Sequence, residues 1–395
     1  MKKFLAFLAI VLGIALLYSW IFKDDIEADS TESVILQKIE ENSSIYPVYN
    51  RLSADERDMY IKICAAISDF DSSTPILYTC NSLSDARDFQ EKFAILYREI
   101  IYEQSELFWI DPYNYDFKLI EYDEEIRVSV ELNYLLDKET ALSQKEQFDE
   151  TVEMIVSKAQ RQRSTFDEIL YVYDYILDNC SYDYDVYEKK NYDTTAINAY
   201  GCLVDGKTVC SGYTLAFDVI MKRLGYECGA EFNSYSTFSL FEGHVWNYCK
   251  IEDEYYYFDL TWDDGFDTGI NASYYEKYFD YTHMYFGITK EELERSHLLV
   301  SDDAPTPLCN GTKYNYFVYK GYNIPEYSLD AVKEVINKQS HHNYVALRFD
   351  SYGELYDAEQ ELLKEGKIYD IVLTDSDIKW IVSNSDLHLY IIFEK

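Results

Sequence analysis

Two β-rich runs, HVWNYCKI at 244–251 and YYYFDLTW at 255–262, flank an acidic break at Glu252 and Asp253. Such a pattern reads as a β-hairpin. It is the tightest constraint in the chain, because side chains alternate between faces along a strand. Moving the turn by one residue would send a whole run of side chains to the other face. With Glu252 and Asp253 as the turn, Ile251 pairs with Glu254, Trp246 faces Asp259, and Thr261 faces His244. His244 and Asp259 then become diagonal neighbours on one face. Diagonal Cβ atoms lie roughly 7–8 Å apart, within reach of a histidine–carboxylate hydrogen bond.

A second feature lies upstream, in TVCSGYTLAF at 208–217. Leu215, Ala216, Val219, Ile220 and Leu224 recur at helical spacing and Gly225 is a natural stop, so a helix is expected from Cys210 to Leu224. Cys210 stands at its N-terminus, where unpaired backbone N–H groups favour a thiolate. Gly212 permits close backbone approach. By itself Cys210 can equally be a buried thiol with a packing role. A nucleophile also needs a base and a group to orient that base, and His244 is the first histidine in the chain. The expected roles are Cys210 as attacking thiolate, His244 as proton carrier, and Asp259 as the group that fixes and charges the imidazole. Trp246 and Trp262 follow His244 and Asp259 and are candidates for the site wall, with packing in the core as the plainer reading. Tyr200 is a candidate oxyanion donor, since the nearest upstream tryptophan, Trp109, is about a hundred residues away. His283 and His297 lie downstream, in a stretch read as a loop followed by a helix, and rank below His244 as base. Tyr182 and Tyr184 read as residues of a loop or groove.

YGCLVDGKTVCSGYTLAF, GHVWNYCKI and YYYFDLTWDD, in that order, resemble the three sequence blocks of the transglutaminase-like superfamily, in its bacterial extracytoplasmic branch. The likeness spans about Ser164 to Trp262. It implies an α+β, papain-like fold with the cysteine helix packed on an antiparallel sheet. It also places the family's catalytic Cys, His and Asp on Cys210, His244 and Asp259. Superfamily members include crosslinking acyltransferases, cysteine peptidases and proteins without activity. The expected function is thiol acyl transfer, either hydrolysis of a peptide or amide or transamidation. The alternative is a non-catalytic module of the same fold that binds a cell-surface protein or cell-wall peptide.

The rest of the chain sets the context. A formal net charge of −37 argues against nucleic-acid partners, which are held by Lys and Arg. No metal or cofactor is expected: the eight cysteines contain no Cys-x-x-Cys, and no calcium loop like that of some animal relatives is visible. Cys202 and Cys249 could pair or be buried. Lys2 and Lys3 precede an apolar run from Phe4 to Phe22, which approaches a bilayer span in length. Charge placement puts the N-terminus in the cytoplasm and the bulk of the chain outside, as a single-pass membrane protein; a cleaved signal and secretion is the alternative. The partner expected there is a protein or peptide substrate, with a cell-wall-associated one among the options. The expected organisation is an anchor at 1–23, an acidic stalk at 24–34, a mostly helical N-terminal α+β region at 35–163 with two strands around 117–135, the transglutaminase-like domain at 164–304, and a small α/β domain at 305–395. In the last, helix, strand, helix, strand (KIYDIVLT) and a final hairpin are expected.

Overall fold

A computed structural model describes residues 30–233, 243–264, 279, 281–297, 306–339, 344–372 and 377–394. The expected anchor and residues 24–29 of the stalk lie outside the described residues. Among the described residues no helix is long and apolar enough to cross a membrane. The stalk's last residues are helical: Ser30 caps Thr31–Glu41, its side chain accepting from the Ser33 N–H.

The fold is α+β, built around one buried helix, Cys210–Arg223, in which every residue from Ser211 to Lys222 is buried. A helix buried all round must satisfy its polar groups internally. Asp218 Oδ2 does so with Lys222 at 2.8 Å and with the Ser105 hydroxyl at 2.7 Å, and Lys222 also donates to the Glu103 carbonyl at 2.8 Å. Leu224 caps the helix and Gly225, at φ +91°, supplies the left-handed exit. Around it stand the helices Lys138–Ala159 and Thr165–Asn179 and an antiparallel sheet of four strands in sequence order: Cys228–Asn233, His244–Ile251, Glu254–Phe258 and Phe286–Ile288.

The hairpin has the expected register, with Ile251 opposite Glu254, Tyr248 opposite Tyr257 and Asn247 opposite Phe258. Its turn residue Glu252 sits at φ +56°. The second strand is shorter than expected. It ends at Phe258, and Leu260–Asp263 is a short helix capped by Asp259, whose Oδ1 accepts from the Trp262 N–H at 3.1 Å. Thr261 therefore does not stand opposite His244 in the ladder. An aspartate side chain that bonds its own downstream backbone offers an alternative to strand pairing, and here the alternative wins. The strand Phe286–Ile288 also replaces part of the expected downstream loop.

The sheet is covered on both faces. Val245, Cys249 and Phe258 belong to the core that holds the cysteine helix. Trp246, Tyr248, Tyr257 and Ile288 pack with Ala346, Ile381, Tyr390 and Ile392 of a second sheet. That C-terminal sheet has strand order Asn323–Ile324, Tyr344–Phe349, His388–Glu394, Asp377–Ser383. The run KIYDIVLT does not form the expected strand: Ile368–Ile371 is a short helix with Ile368 fully buried. A short apolar run carries no period that separates strand from helix.

The N-terminal region contributes helices Ala54–Asp69 and Leu83–Glu103 and a long hairpin, Ile110–Tyr122 with Glu125–Tyr134. All eight cysteines are free thiols. Cys202 and Cys249 do not neighbour each other as a pair; Cys202 interacts with Cys180, and Cys249 stands opposite Cys228 on the adjacent strand.

Candidate active site

Cys210 opens its helix after Val209, which has no side chain to cap the first turn. The first N–H groups are thus left to the loop and to whatever occupies the space above them. Cys210 is partly exposed, whereas the other seven cysteines are buried. It shares a pocket with His244, which begins its strand. The first turn of the helix and the first residue of the strand meet there, at the edge of the two packed layers.

His244 Nε2 lies 2.5 Å from Asp259 Oδ2. Nδ1 is therefore the ring nitrogen not engaged by Asp259, and the Cys210 side chain lies close enough to favour the charged imidazole. Burial opposes the charge on His244, but the Asp259 carboxylate and the Cys210 thiol outweigh it, and its pKa is pushed up to about 10. Burial likewise opposes the charge on Asp259, yet His244 and His297 hold its carboxyl well below the usual range. Next to it, burial pushes Asp263 well above that range, against donors from Thr282, Tyr173 and the Tyr285 N–H. Of the two neighbouring carboxyls, Asp259 is the one whose charged form the surroundings favour.

The structure brings Cys210, His244, Asp259, Trp246 and Trp262 together. The Trp246 and Trp262 rings lie 5.6 and 5.8 Å from the His244 ring. It does not bring Tyr200 there: that ring packs on Phe108 and its hydroxyl bonds Gln147 Oε1 at 3.3 Å. Trp109 is also elsewhere, its indole N–H donating to the Ile67 carbonyl at 3.2 Å. His283 pairs with Asp174 and stacks on Tyr316.

Two further groups surround the triad. One is the pocket wall beside the thiol, made by Tyr102, Tyr113, Tyr182, Tyr187, Tyr192 and Phe232. Tyr182 is a groove residue, as its sequence context suggests; Tyr102 and Tyr113 come from the N-terminal region, with no local signal. Tyr102, Tyr113 and Ser211 line the same pocket as Cys210, so hydroxyl groups stand beside the thiol. The other is His297, which the sequence offers only as a base ranked below His244 and whose Nε2 lies 2.9 Å from the same Asp259 oxygen that His244 uses.

His244, Asp259 and His297 have ligand atoms within 4.8 Å of one another, as a metal site would require. Here both imidazole Nε2 atoms converge on one carboxylate oxygen. That is the arrangement of two N–H donors sharing an acceptor, and an ion between them would need both to give up the bond.

Residues 151–260 match the family model of the transglutaminase-like superfamily. No curated protein sequence matches the chain. Among solved structures, a TGase crystal structure is similar at 16% identity over 39% of this chain and 45% of that one, with a TM-score of 0.27. A candidate cysteine protease from Cytophaga hutchinsonii is similar at 14% identity over 38% of this chain and 62% of that one, with a TM-score of 0.23. The chain thus spans less than two thirds of the length of either structure.

Proposed function

From a transglutaminase-like domain at 151–260, with Cys210, His244 and Asp259 inside it, we propose thiol-based acyl transfer on a peptide or amide substrate. The observation that carries this reading is the His244 Nε2 to Asp259 Oδ2 bond of 2.5 Å beside the one partly exposed cysteine. The Cys210 thiolate attacks the carbonyl carbon, and a tetrahedral oxyanion forms. His244, protonated and held by Asp259, gives its proton to the leaving amine. The amine departs and a thioester remains. Water or a second amine then attacks the thioester, His244 takes up its proton, and the thiolate is released. Water makes the reaction hydrolysis; an amine makes it transamidation. The Cys210 backbone N–H and the Tyr113 hydroxyl are the donors offered to the oxyanion.

In this reading the Phe4–Phe22 run is the membrane anchor. The tyrosine-lined pocket then meets protein or cell-wall peptide outside the cytoplasm.

Alkylation of the full chain by iodoacetamide, mapped by mass spectrometry, tests the reading. At pH 6 Cys210 is expected to react at least about ten-fold faster than in the His244→Ala variant, since the imidazolium that favours the thiolate is gone. Equal rates in the two proteins would remove the catalytic reading and leave the fold as a binding module.

A further inference from the structure

We propose that His297 is a positioning residue of this site: its neutral imidazole donates to the Asp259 oxygen that His244 also uses, and so limits how tightly Asp259 holds the His244 proton. The inference rests on the acyl-transfer reading above and adds to it a residue outside the matched 151–260 region.

The geometry is specific. His297 Nε2 lies 2.9 Å from Asp259 Oδ2 and His244 Nε2 lies 2.5 Å from the same atom. The other ring nitrogen of His297, Nδ1, lies 3.1 Å from the Ser296 hydroxyl. A serine O–H that donates to Nδ1 keeps the proton of a neutral ring on Nε2, where Asp259 accepts it. The ring has little freedom to do anything else. It is 4% exposed and packed 4.0 Å from Trp262, 5.0 Å from Trp246 and 5.3 Å from Tyr285, centroid to centroid. The two tryptophans beside the triad thus clamp His297 as well as flanking His244.

The charges around His297 favour the neutral form. Burial lowers its pKa, and the nearby His244 adds to that, against the pull of Asp259 and of Asp386. Asp386 comes from the turn between the last two strands and bonds the Tyr285 hydroxyl at 3.4 Å. At the remaining carboxyl nearby, Asp263, burial raises the pKa and disfavours the charged form. His297 is therefore a donor without a charge of its own.

A neutral donor on a carboxylate oxygen withdraws part of the charge that the other donor feels. A triad histidine must both hold a proton and release it, and it does so best when its pKa lies near the working pH. Asp259 alone would hold the His244 proton more tightly than that task needs. The second N–H on Oδ2 offsets this, while the Trp262 N–H on Oδ1 keeps the carboxylate from rotating. His297 reaches neither Cys210 nor the pocket wall, so its effect passes through Asp259.

The test is the titration of His244, followed by NMR of the full chain labelled at its histidines. His297→Phe keeps the ring packing and removes the donor. The His244 midpoint is expected to rise by about one pH unit, the shift that corresponds to loss of one charge-assisted hydrogen bond of modest strength. His297→Gln returns an N–H near the position of Nε2 and is expected to recover most of the shift. A merely structural role would leave the midpoint unmoved. Should His297→Phe fail to fold, Ser296→Ala, which frees the His297 tautomer, is expected to move the midpoint in the same direction by a smaller amount. An unmoved midpoint in the folded variants, or no recovery with Gln, overturns the proposal while the triad stands. If His244 of the unaltered protein instead titrates near the ordinary value of about 6.5 and Cys210 alkylates no faster than in His244→Ala, the acyl-transfer reading and this inference both fall.

Discussion

Asp259→Asn is expected to lower turnover of a peptide amide by about 10³–10⁴-fold while leaving the fold intact, the scale on which loss of the charged member acts in a Cys/Ser–His–Asp arrangement. The substitution keeps the size of the side chain, and its amide oxygen can still cap Leu260–Asp263 by accepting from the Trp262 N–H. What disappears is the charge that holds His244 protonated up to about pH 10. The sign follows from the direction of that shift. A raised imidazole pKa means the carboxylate favours the protonated ring. Without it His244 falls back toward an ordinary histidine, and burial takes it lower still. At pH 7–8 the ring is then neutral, and the thiolate loses its counter-charge. Steady-state turnover of both proteins across pH 5–10, with circular dichroism to check folding, measures this. A folded variant that keeps more than a tenth of the turnover would show that Asp259 does not serve the histidine.

Gly212→Ala is expected to destabilise the chain by about 2–3 kcal/mol, the scale of an overpacked core, although alanine is the better helix former by about 1 kcal/mol. The reason is space. A Cβ on residue 212 would stand 1.7 Å from the Thr208 Oγ1, 2.8 Å from the Asn198 carbonyl oxygen and 2.9 Å from the Thr208 Cβ. Thr208 cannot simply turn away, because its hydroxyl donates to the Ala196 carbonyl at 2.6 Å in a fully buried setting. Either the helix start moves off the 196–208 loop, or that buried bond breaks. Both outcomes displace Cys210, two residues away, so alkylation of the thiol should fall together with stability. Urea unfolding gives the stability difference. A variant as stable as the parent would show that the loop gives way freely.

Part of this site was legible in the sequence and part was not. The hairpin register could be read because a two-residue turn admits one pairing that keeps the apolar residues of both runs inside. The pairing of Ile251 with Glu254 and of Asn247 with Phe258 follows it. His244 and Asp259 do meet, yet not as members of a continuous ladder, because the strand stops at Phe258 and Asp259 caps a helix. Local side-chain-to-backbone chemistry overrode the strand pattern without spoiling the contact, since Asp259 already pointed to the right face. The cysteine helix was legible for a similar reason: apolar spacing and Gly225 are local signals. Tyr200 was misplaced because nearness in sequence says nothing about which way a buried ring turns. Ile368–Ile371 is a helix where KIYDIVLT suggests a strand, because so short a stretch shows no clear period of either kind.

The sequence by itself determined the periodic elements, the register of the central hairpin and the order of the three blocks that carry Cys210, His244 and Asp259. These depend on neighbours a few residues apart, where spacing maps directly onto a face. Only the tertiary structure decided the surroundings of that site. Tyr102 and Tyr113 reach Cys210 from about a hundred residues upstream, and His297 reaches Asp259 from 38 residues downstream. Such contacts arise when separate layers pack against both faces of one sheet. Which distant side chains then share a buried space is set by the shape of the whole core, not by any local pattern in the chain.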